Sequence, residues 1–194
     1  LQTETNEIGY VAAFPISEVN RGINAFTLGV RSVTSEANVY VSWTNSWEDD
    51  AATAEATKNL LDAHNIDVLT MHSDSLNPLD IAEERGVMSI GYNWDNSTNY
   101  PETYLTAAVW DWESFYMPII LKCLQGKFEG KNYWEGIDSG VVDLAPLTDK
   151  VNPETQTVIL QEMEKLRSGT YDVFYGPIYD NAGNLRIEEG ECMT

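Results

Sequence analysis

The sequence predicts an α/β fold built on a doubly wound, mostly parallel sheet. Two observations carry that expectation. β-like apolar runs alternate with helix-like stretches along most of the 194 residues, which is the pattern of strands joined by crossover helices. The first three of these strand–helix units also follow one another in series, each with its own helix-start signal, an order hard to place outside a doubly wound sheet. No low-complexity linker and no internal repeat interrupts the series, and the length suits one or two globular domains.

The first unit runs from Ile8-Gly9-Tyr10-Val11-Ala12-Ala13 into a helix signalled by Pro15 and Ser17, whose apolar positions Val19, Ile23, Phe26 and Val30 fall at helical spacing. The second runs from Val39-Tyr40-Val41-Ser42-Trp43 into an Ala-rich helix, with Ser46 or Asp49 as cap and Leu60 and Leu61 near its end. In the third, Ile66-Asp67-Val68-Leu69 leads to Asn77-Pro78, read as an N-cap followed by proline at the first helical position, and the helix stops before Gly86. Strands at Val87 to Tyr92 and Tyr104 to Val109 flank a polar loop, Asn93 to Thr103. The helix expected over 112–125 is apolar on nearly every side and contains Pro118, which should kink it. A helix so apolar needs partners all round, and a small α/β domain offers it one face. The cover is therefore expected from a part absent from this chain or from another subunit, with self-association through this helix as one consequence. Beyond it, Gly140 to Leu144 reads as a short strand, Asn152-Pro153 starts a helix that ends at Gly169, and Ile178 to Ile187 reads as a hairpin turning on Asn181-Ala182-Gly183. The acidic last residues, 188–194, are expected to fray.

Composition excludes several function classes. Eleven Lys and Arg against 31 Asp and Glu leave a net charge of −20. A nucleic-acid backbone is bound by displacing counterions with basic side chains, so nucleic acid is not an expected partner, nor is an anionic membrane surface. The 43% apolar content, with six Trp, ten Tyr and five Phe, is enough to bury a core, so disorder of the whole chain is not expected. No apolar run approaches the roughly 20 residues of a membrane span. Cys123 and Cys192 lie far apart, without metal-ligand spacing, and are read as unpaired thiols; no metal or cofactor is expected. There is no GxSxG elbow, no GxxxxGK[ST] loop and no GxGxxG fingerprint. With 31 acids available, any one carboxylate pair says little about glycoside hydrolysis.

Ligands of an open parallel sheet bind beyond the carboxyl ends of its strands, so the loops after each strand hold the candidate site. They read Phe14-Pro15, Trp43-Thr44-Asn45-Ser46-Trp47, His72-Ser73-Asp74-Ser75, Asn93-Trp94-Asp95-Asn96 and Trp110-Asp111-Trp112. Aromatic faces offer stacking, and amides and carboxylates can hold the edge of a ring or the hydroxyls of a sugar. With neither Arg nor Lys in these loops, a neutral, planar, hydroxylated ligand suits them better than an anion. Each residue also has a plainer reading: tryptophans as lids on the core, Asp74 and Asp95 as helix caps or turn formers, His72 as a hydrogen-bonded structural histidine. The run Glu48-Asp49-Asp50 is accounted for by the helix dipole without a metal.

Several of these segments together resemble one family. Ile8 to Pro15, Glu18-Val19, Arg21 to Gly29, Trp43 to Trp47, His72 to Ser75, Gly91-Tyr92 with Asp95, Val109 to Trp112, Tyr133-Trp134 with Gly136, Val142 to Leu147 and Gly176 to Ile178 are similar to the basic membrane protein family. These are substrate-binding lipoproteins of ABC transporters, akin to purine-nucleoside-binding proteins, and the similarity spans residues 8 to 187 in consistent order. The resemblance implies a periplasmic-binding-protein fold of the first type, with two α/β lobes and ligand in the cleft between them. It further implies that this chain holds the second lobe, residues 8–108 and 136–187. Residues 109–135 would be a crossing segment whose helix packs on a first lobe that would precede the chain, together with a signal peptide and a lipidated cysteine. The whole protein would then be extracytoplasmic, lipid-anchored or periplasmic, and would work with an ABC permease.

Carried over by position, Trp47 matches the aromatic that stacks on the purine. Asn45, Asp74 and Asp95 lie in segments matching ligand-contacting loops, Phe14 and Trp110 stand near the cleft wall, and His72 and Asn93 are further candidate ligand-binding residues of the strand-end loops. The chain departs from the family pattern at Asp49-Asp50-Ala51-Ala52, where Asp-Pro-Ala-Lys is frequent, and at Asn93, where many members carry Asp. Loss of that lysine and of one carboxylate bears on the identity of the ligand, and on ribose recognition in particular. The expected function is capture of a purine nucleoside or base for import, without chemical turnover and with no catalytic residues. Two alternatives stay open from the residues alone: a ligand-sensing receptor or regulatory module with the same lobes, and a nucleoside or glycoside hydrolase.

Overall fold

The computed structural model describes residues 2–193. Five parallel strands, β1 (Glu7–Ala12), β2 (Asn38–Trp43), β3 (Val68–His72), β4 (Met88–Asn93) and β5 (Tyr104–Trp110), form a sheet ordered β2-β1-β3-β4-β5. A sixth, β6 (Val142–Leu144), closes the far edge antiparallel to β5. The chain moves outward from β1 to β2 and then returns past β1 to β3, so the strand order reverses between β1 and β3. That reversal leaves a crevice at the carboxyl ends of these two strands.

Side-chain alternation explains the two layers. On one face, Tyr10 and Ala12 of β1 pack against Val19 and Ile23 of α1 (Ser17–Val33). Burying an apolar side chain of that size stabilises the fold by about 1.5–3 kcal/mol. On the other face, Val11 and Leu69 pack against Leu60 of α2 (Asp50–Ala63) and Ala82 of α3 (Asn77–Arg85). Gly9 sits where α2 approaches most closely: a Cβ there would stand 2.7 Å from Leu69 Cδ1 and 3.2 Å from Leu60 Cδ2. Helix α5 (Pro153–Arg167) is capped by Asn152, whose side chain accepts from the Thr155 amide.

The cap of α2 is Asp49, which accepts from the Ala52 amide, while Ser46 accepts from Glu48 and Asp49 in the preceding turn. The start of α3 differs from expectation. Leu76, not Asn77, is the N-cap. Asn77 is already helical, and its side-chain amide donates to Asp50 and to Ser75 instead of capping; a long-range bond to α2 outcompetes the local one. The third strand also begins later than the sequence suggests, at Val68, because Asp67 is engaged by the amino-terminal segment, accepting from the Glu4 and Thr5 amides and from the Thr3 hydroxyl. Gly86 ends α3 in the left-handed conformation (φ 68°), as its position predicts.

Helix α4 (Trp112–Leu124) runs through Pro118, and none of its residues is buried. Trp112, Tyr116, Met117, Ile120, Leu121 and Leu124 are all exposed. Phe115 meets Tyr133 edge to face at 5.2 Å, while the six side chains just named stay exposed.

The expected fraying at the carboxyl end is not what the structure shows up to Met193; Thr194 lies outside the described residues. After the hairpin of β7 (Ile178–Tyr179) and β8 (Leu185–Ile187), the chain folds back on residues 174–176. The Gly176 amide donates to the Glu191 carbonyl, the Met193 amide donates to the Phe174 carbonyl, and Tyr175 bridges Cys192. Main-chain pairing holds this tail even though its side chains are acidic. The two cysteines are free thiols.

Candidate functional site

The loops at the carboxyl ends of the strands converge as their positions predict. At the carboxyl ends of β1 and β3 the Ala13 amide donates to the His72 carbonyl at 3.0 Å. The loop after β2 is then tied to the loop after β3. The Trp47 carbonyl accepts both the Asp74 amide and the Ser73 hydroxyl at 3.0 Å. A second tie runs from the start of α2, where Asp50 accepts from the Ser75 hydroxyl at 2.6 Å. Trp47 is therefore held by its backbone, leaving its indole free to be placed by packing.

That indole belongs to a row of rings along the rim. Phe14 lies 5.9 Å from Trp47, Trp47 5.9 Å from His72, His72 4.3 Å from Tyr92, and Tyr92 meets Trp110 edge to face at 5.1 Å. Such spacings are those of interacting aromatic pairs. Beside the row, Asn93 donates its side-chain amide to Asp74 at 3.0 Å. Asn45 and Asn93 both adopt positive φ, 55° and 69°, a conformation that asparagine tolerates better than most residues. They bend the chain where it leaves β2 and β4.

Of the residues singled out from the sequence, Phe14, Trp47, His72 and Trp110 fall in the row, and Asp74 and Asn93 form a pair next to it. Asn45 lies in the same loop as Trp47, exposed, with its backbone amide donating to Ala13. Asp95 is exposed, and its carboxylate accepts from the Ser97 amide in the turn after β4. His72 is buried, so it underlies the rim instead of projecting from it.

Three further residues at the site, Tyr92, Tyr10 and Glu18, stand in β4, β1 and α1, outside the strand-end loops that the sequence singles out. Tyr92 was in reach: β3 and β4 pair Thr70 with Ile90, so by alternation His72 and Tyr92, two residues on, share a face. Glu18 had no such signal, because nothing local ties the first turn of α1 to the end of β3. His72 Nε2 stands 3.2 Å from Glu18 Oε1, and the Tyr10 hydroxyl stands 3.5 Å from Nδ1.

Burial is the main influence on the ionisable groups here. It holds the His72 imidazole below its ordinary value, against the upward pull of the Glu18 and Asp74 carboxylates. It also pushes the Tyr10 and Tyr92 hydroxyls well above the usual tyrosine range, helped by Glu18. Both tyrosines stay protonated donors near neutral pH, and His72 is a neutral ring bonded to Glu18 more than an ion pair. Among the described residues, no cluster of three or more His, Cys, Asp or Glu is placed to hold a metal.

Along the rim Asn45 and Asp74 are exposed, while Phe14, Trp47, Tyr92 and Trp110 are half-buried. Two hollows of the fold lie away from the rim, one of about 420 Å³ beside α2 and α3 and one of about 490 Å³ between α1 and α5. What the rim offers is a floor of aromatic faces with an amide–carboxylate pair at its margin, able to stack a flat ring and hydrogen-bond its edge. No helix among the described residues is long and apolar enough to cross a membrane.

Comparison with known proteins gives a consistent result. A family described as ABC transporter substrate-binding protein PnrA-like matches residues 1–174. A purine-binding protein of Brucella abortus (strain 2308) is 35% identical over 184 residues, covering 94% of this chain and 52% of that protein. The putative ABC transporter glucose-binding protein TsgA13 of Haloferax volcanii is 37% identical over 178 residues, covering 92% of this chain and 45% of that protein. The chain thus spans about half the length of the curated relatives it matches. Among solved structures, a transcriptional activator of the comK gene from Bacillus halodurans superposes with a TM-score of 0.77 at 23% identity, over 87% of this chain and 59% of that one. An ABC transporter solute-binding protein from Conexibacter woesei does so with a TM-score of 0.71 at 19% identity, over 87% and 57%. At those identities the structural likeness speaks to the fold alone.

Proposed function

This chain belongs to the PnrA-like family of ABC transporter substrate-binding proteins, a family that binds solutes without transforming them, and from that premise we propose that it forms one wall of a solute-binding cleft. The whole protein would be an extracytoplasmic, lipid-anchored or periplasmic component of an importer, delivering its solute to an ABC permease. The solute we propose is a purine nucleoside or base. The observation that carries this is the row Phe14, Trp47, His72, Tyr92 and Trp110 with the Asp74–Asn93 pair beside it. A purine would lie against Trp47 with its polar edge toward Asp74, Asn93 and Asn45. The Brucella purine-binding relative supports the choice, and the Haloferax glucose-binding relative names the solute to test against it.

Residues 8–108 and 136–187 would form the lobe and 109–135 the crossing segment. A second lobe would close over the rim and cover α4, and closure around bound solute would be the state the permease reads. The exposure of α4 supports that arrangement. Calorimetry on the two-lobed protein tests the ligand, with adenosine, guanosine, inosine, free purine bases and glucose as titrants. Heat from a purine and none from glucose is expected; heat from glucose alone overturns the purine reading.

Without the second lobe, the apolar faces of α4 should bring copies of this chain together, because exposed Trp112, Met117, Ile120 and Leu121 are costly to leave in water. Light scattering on residues 1–194 is expected to give a mass above one chain, collapsing to a monomer when Ile120 and Leu121 are both replaced by Lys. A monomer before substitution would remove α4 as a contact surface.

A further inference from the structure

Beneath the rim, α1 presents two residues one helical turn apart, Glu18 and Gly22, to the same buried ring. The Glu18 carboxylate meets His72 Nε2 at 3.2 Å. Gly22 lets the helix backbone come close: a Cβ there would stand 3.2 Å from His72 Nδ1, 3.4 Å from Cε1 and 3.5 Å from the Tyr10 hydroxyl. A carboxylate can only accept, so Nε2 must carry the proton, which leaves Nδ1 free to accept from the Tyr10 hydroxyl. The His72 ring in turn stands between Trp47 and Tyr92, at 5.9 and 4.3 Å. We propose that Glu18 and Gly22 are positioning residues of the binding rim: they fix the tautomer and orientation of His72, and through that ring the spacing of Trp47 and Tyr92 against which a flat ligand lies.

The ligand part of this inference rests on the binding role proposed above; the part concerning the ring does not. Groups facing His72 are Glu18 on α1, Tyr10 on β1, Tyr92 on β4 and Asp74 in the loop after β3. Only the two carboxylates favour the protonated ring, and Glu18 is the one in contact. Removing its charge must move protonation of His72 to lower pH. Protonation would convert Nδ1 from acceptor to donor and set it against the Tyr10 hydroxyl proton, forcing that hydroxyl to rotate.

The test uses ¹⁵N NMR of the imidazoles in the ligand-free chain, which has only two histidines, His64 and His72, so that His64→Gln assigns the signals. At pH 7 His72 is expected as the neutral ring protonated at Nε2, with its acid titration moved to lower pH in Glu18→Gln. A ring protonated at Nδ1, or a titration identical in Glu18→Gln, overturns the proposal. In the two-lobed protein, inosine affinity is expected to fall about tenfold in Glu18→Ala and in Gly22→Ala, a loss of about 1.4 kcal/mol, and to recover in Glu18→Gln, whose amide oxygen still accepts from Nε2. Equal affinity in all four proteins overturns the positioning role. If wild type binds no nucleoside, the proposed solute fails while the NMR result still decides the state of the ring.

Discussion

Trp47→Ala is expected to abolish ligand-dependent quenching of tryptophan fluorescence in the two-lobed protein and to weaken binding by about 5- to 150-fold. The magnitude follows from the value of stacking a base on an aromatic face, about 1–3 kcal/mol. Trp47 suits this test because main-chain bonds tie its loop in addition to the packing of its indole on the core beside Val19. The carbonyl of Trp47 accepts from Asp74 and Ser73, and Asp50 anchors the next loop through Ser75. Substitution should remove the indole while leaving the rim's backbone in place, which circular dichroism can verify. Unchanged quenching would assign the signal to another of the six tryptophans, with Trp110, at the far end of the ring row, the next to examine.

Gly91→Ala should cost about 2–4 kcal/mol of stability, read from chemical denaturation. Gly91 lies in β4 facing Tyr104 of β5, and a Cβ there would stand 3.0 Å from Tyr104 Cε2 and 3.1 Å from Cζ, closer still to the hydroxyl. Tyr104 is 1% exposed, so it has no solvent into which to retreat. Its hydroxyl also donates to the Trp94 carbonyl and accepts from the Asn96 amide, bonds that shape the loop following β4. Overpacking of a dense core costs about 1–3 kcal/mol, and each buried polar group left without its partner adds about 1–3 more. The same change should disturb the loop after Asn93, so binding is expected to weaken along with stability. A loss of stability below about 1 kcal/mol would show that Tyr104 can shift aside without breaking its bonds.

Much of this was legible from local pattern. The helix of residues 17–33 shows its buried stripe as Val19, Ile23, Phe26 and Val30, because one face must pack on the sheet. Asn152 is legible as a cap, and Asp49 as one of two candidates with Ser46, since capping needs only the next three residues. Where reading failed, a distant partner had intervened. Asn77 gives up its cap to bond Asp50, and residues 188–193 stay ordered through pairing with 174–176. In the site, Phe14, Trp47, His72 and Trp110 were picked out as residues of strand-end loops, but the order in which their rings touch depends on strand order. Tyr92 was passed over as a strand residue although alternation places it beside His72.

By itself the sequence determined the α/β alternation, the family, the acidic composition and the apolar helix after β5, because each of these depends on residue type and short-range spacing. Only the tertiary structure decided which of the rim residues meet, that His72 lies under the rim, and that Glu18 and Gly22 of a separate element hold it. The reversal of strand order between β1 and β3 brings residues 18, 47, 72 and 92 together, and such contacts depend on how separate elements pack against one another, which no local periodicity encodes.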